Sequence, residues 1–80
     1  MPSREEIRNR LNQVFQDVFD DDTLEIADHT SAADIDEWDS LMHVTLIVAS
    51  EREFGLQLNA AEIGRLKNVG ELLDLLNEKL

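Results

Sequence analysis

Ile7, Leu11, Val14, Phe15, Val18 and Phe19 recur at helical intervals and lay one apolar stripe along an otherwise polar segment, the pattern of a helix packed on one side. Ser3-x-x-Glu6 forms a capping box at its start, with Pro2 just outside. The spacing predicts a first helix from about Ser3 to Phe19, ~25 Å long at the usual rise per residue. From Asp20 to Asp39 the periodicity fades. Asp20, Asp21, Asp22 and Glu25 disfavour a helix, whereas Leu24, Ile26, Ile35 and Trp38 are apolar anchors. The segment reads as a long ordered loop with one helical turn begun at Thr30 or Ser31, and loops of this length in compact domains are usually functional or poorly ordered.

A second helix is predicted from Ser40 to Phe54. Leu41, Val44, Ile47, Val48 and Phe54 are its apolar positions, Asp39 its N-cap and Gly55 its stop. Asn59-x-x-Glu62 opens a short third helix with Ile63 and Leu66 inward. Asn68-x-x-Glu71 opens a fourth, with Val69, Leu72, Leu73, Leu76 and Leu80 along one face. Leu56-Gln57-Leu58 alternates, but three residues without a partner strand make no sheet. The expected fold is all-α: a four-helix bundle with a short third helix and a long loop between helices one and two. Its core should draw on Leu11, Phe15, Val18, Ile35, Val44, Ile47, Phe54, Ile63, Val69, Leu72, Leu73 and Leu76. Eighty residues fit a single domain spanning positions 1–80.

Charge narrows the function. Eighteen acids against seven bases give a net charge of −11, which argues against nucleic acid, whose phosphates call for Lys and Arg. No base lies between Leu11 and Glu51, so the acids from Asp17 to Asp39 stand nearly unopposed. That is either a solvated surface or a docking face for basic partners. There is no cysteine, hence no disulfide and no protein thiolate, as suits a reducing cytoplasm. The polar start is no secretory signal, and Leu46–Ala49, the longest apolar run, is too short for membrane insertion.

Chemistry concentrates at Asp39-Ser40-Leu41. A serine at the first helical position holds its hydroxyl near unsatisfied N–H groups and the positive end of the helix. A phosphodiester there would find an anion site. Asp-Ser at a helix start is equally ordinary capping chemistry, and the residues alone leave both readings open.

The stretch Glu37-Trp38-Asp39-Ser40-Leu41-Met42-His43 resembles the attachment motif of acyl carrier proteins, in which a serine between aspartate and leucine accepts 4′-phosphopantetheine. The first stripe, the acidic loop, Glu51-Arg52-Glu53-Phe54-Gly55 and Val69-Gly70-Glu71-Leu72 have counterparts in the same order, so the likeness spans essentially the whole chain. The resemblance implies a carrier without catalytic activity, modified at Ser40 beside Asp39 and Leu41 by a phosphopantetheinyl transferase using coenzyme A and Mg²⁺. It implies cargo held as a thioester for partner enzymes of fatty-acid, polyketide or related lipid metabolism, the reactive sulfur belonging to the prosthetic group. Basic patches on those enzymes would meet Asp36, Glu37, Asp39, Glu51 and Glu53, together with Met42, His43 and Thr45, on a monomeric chain. Trp38-Asp39 stands where peptidyl carriers of the superfamily usually have glycines, which favours the acyl branch over a peptidyl or D-alanyl one. Met42, His43, Thr45 and Arg52 replace acids common on helix two of fatty-acid carriers, which points to a specialised pathway.

An unmodified acidic helical adaptor, with Ser40 only part of a cap, is the main alternative. Ser40, His43 and Asp39 suggest a nucleophile, base and acid, but so small a chain leaves little room for a substrate pocket. His43 is instead expected to contact a partner or sit half-exposed, His29 to lie on the loop surface, and Trp38 to anchor the loop. Counted from Asp17 or Asp20, no register supplies the glycine and glutamate of an EF-hand. No specific metal site is expected, only weak divalent binding that relieves crowded acids.

Overall fold

A computed structural model describes residues 3–35, 37–64 and 66–80, the side chain at position 60 excepted. Four helices follow one another: α1 (Arg4–Phe19), α2 (Ser40–Phe54), α3 (Ala60–Gly64) and α4 (Val69–Lys79). α1 packs against both α2 and α4.

The helix ends are where local chemistry puts them. Ser3 Oγ accepts the Glu6 N–H at 3.1 Å to open α1, and Asp20 closes it in the left-handed region at φ 52°, a conformation that Asp tolerates better than most residues. Gly55 ends α2 at φ 64°, its N–H returning to the Glu51 carbonyl, a position where the missing Cβ avoids strain. Both arms of the third box form, Asn59 Oδ1 taking the Glu62 N–H at 2.8 Å and Glu62 Oε1 the Asn59 N–H at 3.2 Å. In the fourth, Asn68 Oδ1 accepts the Glu71 N–H at 2.9 Å, but the Glu71 carboxylate reaches Lys67 N–H at 2.8 Å.

The long loop is ordered by its hydrogen bonds. Asn12 Oδ1 accepts the Ile26 N–H at 2.8 Å, and Gln16 Nε2 donates to the Leu24 carbonyl at 2.9 Å. Two N–H groups of the first turn of α4 then dock on it: Val69 donates to the Thr30 carbonyl and Gly70 to the Asp28 carbonyl, each at 2.8 Å. Helix-start donors that lack an intrahelical partner are thereby satisfied by tertiary structure. The anticipated helical turn is a hydrogen-bonded turn over Ser31–Asp34, the Asp34 N–H meeting the Ser31 carbonyl at 2.9 Å.

The core is formed by Ile7, Leu11, Val14, Phe15 and Phe19 of α1, Leu46, Ile47 and Phe54 of α2, and Val69, Leu72, Leu73 and Leu76 of α4, with Ile26, Ile35 and Leu58 from the connections. One expectation fails on α2. Val44 is 58 % exposed, and Leu41 and Val48 of the same expected stripe are 75 % and 45 % exposed. α2 carries apolar residues on two faces. The buried one runs through Leu46, Ile47, Ser50 and Phe54, and the serine's hydroxyl is satisfied there because Ser50 Oγ donates to the Leu46 carbonyl at 2.8 Å. Val18 and Ile63, also expected inside, only border the core. Among the described residues no helix is long and apolar enough to cross a membrane, and no group of three or more His, Asp and Glu is arranged to hold a metal ion.

Candidate functional site

The junction of the long loop and α2 is built by Asp39. With its backbone extended at φ −105° and ψ −172°, Asp39 accepts the Met42 N–H on its side chain at 2.9 Å and the His43 N–H on its carbonyl at 2.8 Å. A capping residue of this kind fixes the direction in which the helix starts. Ser40 is the first helical residue and is exposed. Among the described residues no hydrogen bond engages its hydroxyl, and the N–H groups of Ser40 and Leu41 likewise have no described partner. The positive end of a fifteen-residue helix suits a phosphodiester on the adjacent oxygen, a contribution of about 0.3–1 kcal/mol.

Behind the serine stands an aromatic support. The Trp38 ring meets Phe15 edge-on at 5.4 Å between centroids and lies 6.4 Å from Phe19. Its indole N–H donates to His43 Nδ1 at 3.1 Å, and the two rings lie side by side, centroids 6.0 Å apart with 17° between their planes. Since an indole can only donate, Nδ1 is the acceptor and the imidazole proton resides on Nε2. That nitrogen faces the Ile63 carbonyl at 3.4 Å. His43 is thus half-buried and internally engaged. A cleft of about 410 Å³ opens beside it, lined by Trp38, Ser40, His43, Ile63, Leu66 and Lys67 among others.

The remaining candidates divide into two groups. Glu37, Asp39, Ser40, Leu41 and Thr45 lie exposed around the start of α2, and Thr45 Oγ1 bonds back to the Leu41 carbonyl at 3.2 Å. Met42 is half-buried and packs on the core, while Asp36 lies outside the described residues. Glu51 and Glu53 sit at the far end of α2 and are occupied within the chain. Glu51 Oε2 accepts the Leu58 N–H at 2.8 Å, and Glu53 Oε2 pairs with Arg10 Nε at 2.9 Å while that guanidinium lies 4.5 Å over the Phe54 ring. What the sequence reading missed is the exposed apolar row Leu41, Val44 and Val48. A groove of about 530 Å³ runs along it, bounded by Val14, Asp17, Val44, Val48 and Arg52. The signal was present: α2 has more apolar residues than one buried stripe can use.

This geometry agrees with known proteins. The family model described as "Phosphopantetheine attachment site" matches residues 9–76. An acyl carrier protein of Thermosynechococcus vestitus is 32 % identical over 98 % of this chain and 96 % of its own length. The polyketide-8 synthase acyl carrier protein 2 of Streptomyces avermitilis is 30 % identical, the match covering 91 % of this chain and 84 % of that one. A solution NMR structure of the holo acyl carrier protein from Geobacter metallireducens superposes with a TM-score of 0.85 at 44 % identity, over 91 % of this chain and 84 % of that one. The chain therefore belongs to the acyl carrier proteins of the phosphopantetheine-attachment family, carriers rather than catalysts, whose prosthetic group is covalently bound 4′-phosphopantetheine.

Proposed function

We propose that Ser40 is the attachment residue and that residues 1–80 act as one carrier domain in a specialised acyl pathway. The observation that carries this reading is the exposed Ser40 hydroxyl at the first position of α2, at the N-terminal end of a fifteen-residue helix. A phosphopantetheinyl transferase, with coenzyme A and Mg²⁺, esterifies that hydroxyl. When bound, the group supplies a terminal thiol on which an acyl cargo is carried as a thioester. The chain's own residues do the positioning. Asp39 fixes the first turn, the Ser40 and Leu41 amides receive the phosphodiester charge, and Trp38 with His43 braces the turn from behind.

Partner enzymes dock along the exposed side of α2. Leu41, Val44 and Val48 form an apolar centre, and Glu37, Asp39 and Asp17 border it. The occupant that fits has an apolar patch rimmed by Lys and Arg. Charge of this kind raises the association rate and selects partners more than it deepens affinity. With Glu51 and Glu53 bonded internally, steering falls on the acids near Ser40. The pathway assignment rests on Met42, His43, Thr45 and Arg52, which make the face less acidic than that of a general fatty-acid carrier. Intact mass spectrometry tests the attachment: with coenzyme A, Mg²⁺ and a broad-specificity transferase, the native chain gains one arm and Ser40→Ala gains none. An unmodified native chain would leave the acidic adaptor as the better reading.

A further inference from the structure

From the contacts behind Ser40 we infer that Trp38 and His43 are specificity-determining residues that bar cargo from the bundle interior and leave an acyl group on the Ser40 arm to the surface cleft. This deepens the proposed function and rests on it. His43 lies one helical turn after Ser40, so it guards the point where a chain tethered there would enter. It ties three elements together: the indole N–H of the loop residue Trp38 at 3.1 Å, α2 through its own backbone, and the Ile63 carbonyl of α3 at 3.4 Å. Trp38 is itself wedged edge-on against Phe15, a residue with no solvent exposure. Parting these groups strands a half-buried indole donor and an imidazole acceptor, a penalty beyond the loss of ring contact.

Behind the latch the described side chains are shut off from solvent. Phe15, Leu11, Leu46, Leu72 and Leu73 are closed off at 0–2 % exposure. The surface clefts lined by described residues reach none of those five. The cleft of about 410 Å³ outside the latch is what an acyl group on the Ser40 arm can use, with Trp38, His43, Ile63 and Leu66 as an apolar wall and Lys67 beside it. Because that cleft is open, each methylene left in water forfeits about a fourfold preference for the bound position.

The test uses the full chain carrying the arm, loaded with acetyl or octanoyl. In the native protein, exchanging acetyl for octanoyl leaves the methyl NMR shifts of Leu46 and Leu72 and the Tm unchanged. In His43→Ala, octanoyl shifts those methyls and raises Tm over the acetyl form by at least about 4 °C. His43→Gln, which can still accept from Trp38 and donate to Ile63, behaves as native. Trp38→Phe keeps the ring without the N–H and provides a second opened variant should His43→Ala fail to fold. Octanoyl perturbing the native core methyls, or leaving them unmoved in a folded opened variant, overturns the inference. Failure of Ser40 to gain mass removes the carrier reading itself and this claim with it. A normal mass gain with octanoyl inside the native core defeats only this one.

Discussion

Gly70 is the second residue of α4 and is buried against the loop. Replacing it with alanine sets two effects against each other. Helix propensity favours alanine over glycine by about 0.8–1 kcal/mol. Against that, an added Cβ would stand 2.9 Å from the Asp28 carbonyl oxygen and 3.3 Å from both Asp28 Cβ and Asn68 Oδ1. The nearest of these is backbone, held in place by the 2.8 Å bond from the Gly70 N–H itself. The loop must retract, and overpacking of this kind costs about 1–3 kcal/mol. Stretching the bond to the Gly70 N–H adds some of the ~1–3 kcal/mol penalty of an unsatisfied buried donor. The balance is a destabilisation of about 2 kcal/mol, or a fall in Tm of about 10 °C for a domain of this size. Urea unfolding followed by far-UV circular dichroism measures it. Trp38, the only tryptophan, reports loop packing in the same samples by fluorescence. A Tm equal to or above that of the native chain would mean that propensity wins and that the loop does not seat on the start of α4.

Further outcomes follow from the same contacts. Leu46→Ala, at a position without solvent exposure, lowers stability by about 2–5 kcal/mol. Val44→Ala changes it by less than about 0.5 kcal/mol yet weakens partner binding, a contrast that parallel denaturation and binding titrations would expose. Asp39→Ala removes the cap on Met42 N–H and costs about 1 kcal/mol, slowing arm transfer to Ser40 without abolishing it in a timed mass assay. The Asn59 backbone N–H, with a smaller contribution from Lys79, holds the Glu62 carboxyl below the usual glutamate range. A depressed folded-state value means that the stabilisation exists above the unfolded-state value and vanishes as pH falls through the folded one. Glu62→Gln should therefore lower Tm at neutral pH, and the difference should shrink as acid titration passes through the depressed folded-state value and close below it, where both side chains are neutral. A gap that persists in acid would refute that assignment.

What could be read without coordinates was local chemistry. Ser3, Asp39, Gly55, Asn59 and Asn68 mark helix ends by bonds to residues three or four positions away, and each does what its spacing implied. The start of α2, and so the placement of Ser40, was legible for that reason. Contacts between distant segments were not. Nothing in Asp28 or Thr30 announces that their carbonyls receive the first turn of α4. The buried face of α2 was misjudged because Val44 and Leu46 are equally apolar, and only the placement of α1 decides between them. His43 was expected at a partner contact or half-exposed on the helix; its bonds to a loop residue and to a carbonyl twenty positions away could not be read from its spacing.

The absence of cysteine from the chain permits a direct measurement of the central claim, because a thiol on the purified protein can come only from the prosthetic group. Thiol titration under denaturing conditions, after transferase treatment and removal of coenzyme A, should read none before treatment, one per chain after it, and none for Ser40→Ala. A native chain that stays thiol-free, or a Ser40→Ala chain that gains a thiol equally, contradicts the assignment of Ser40.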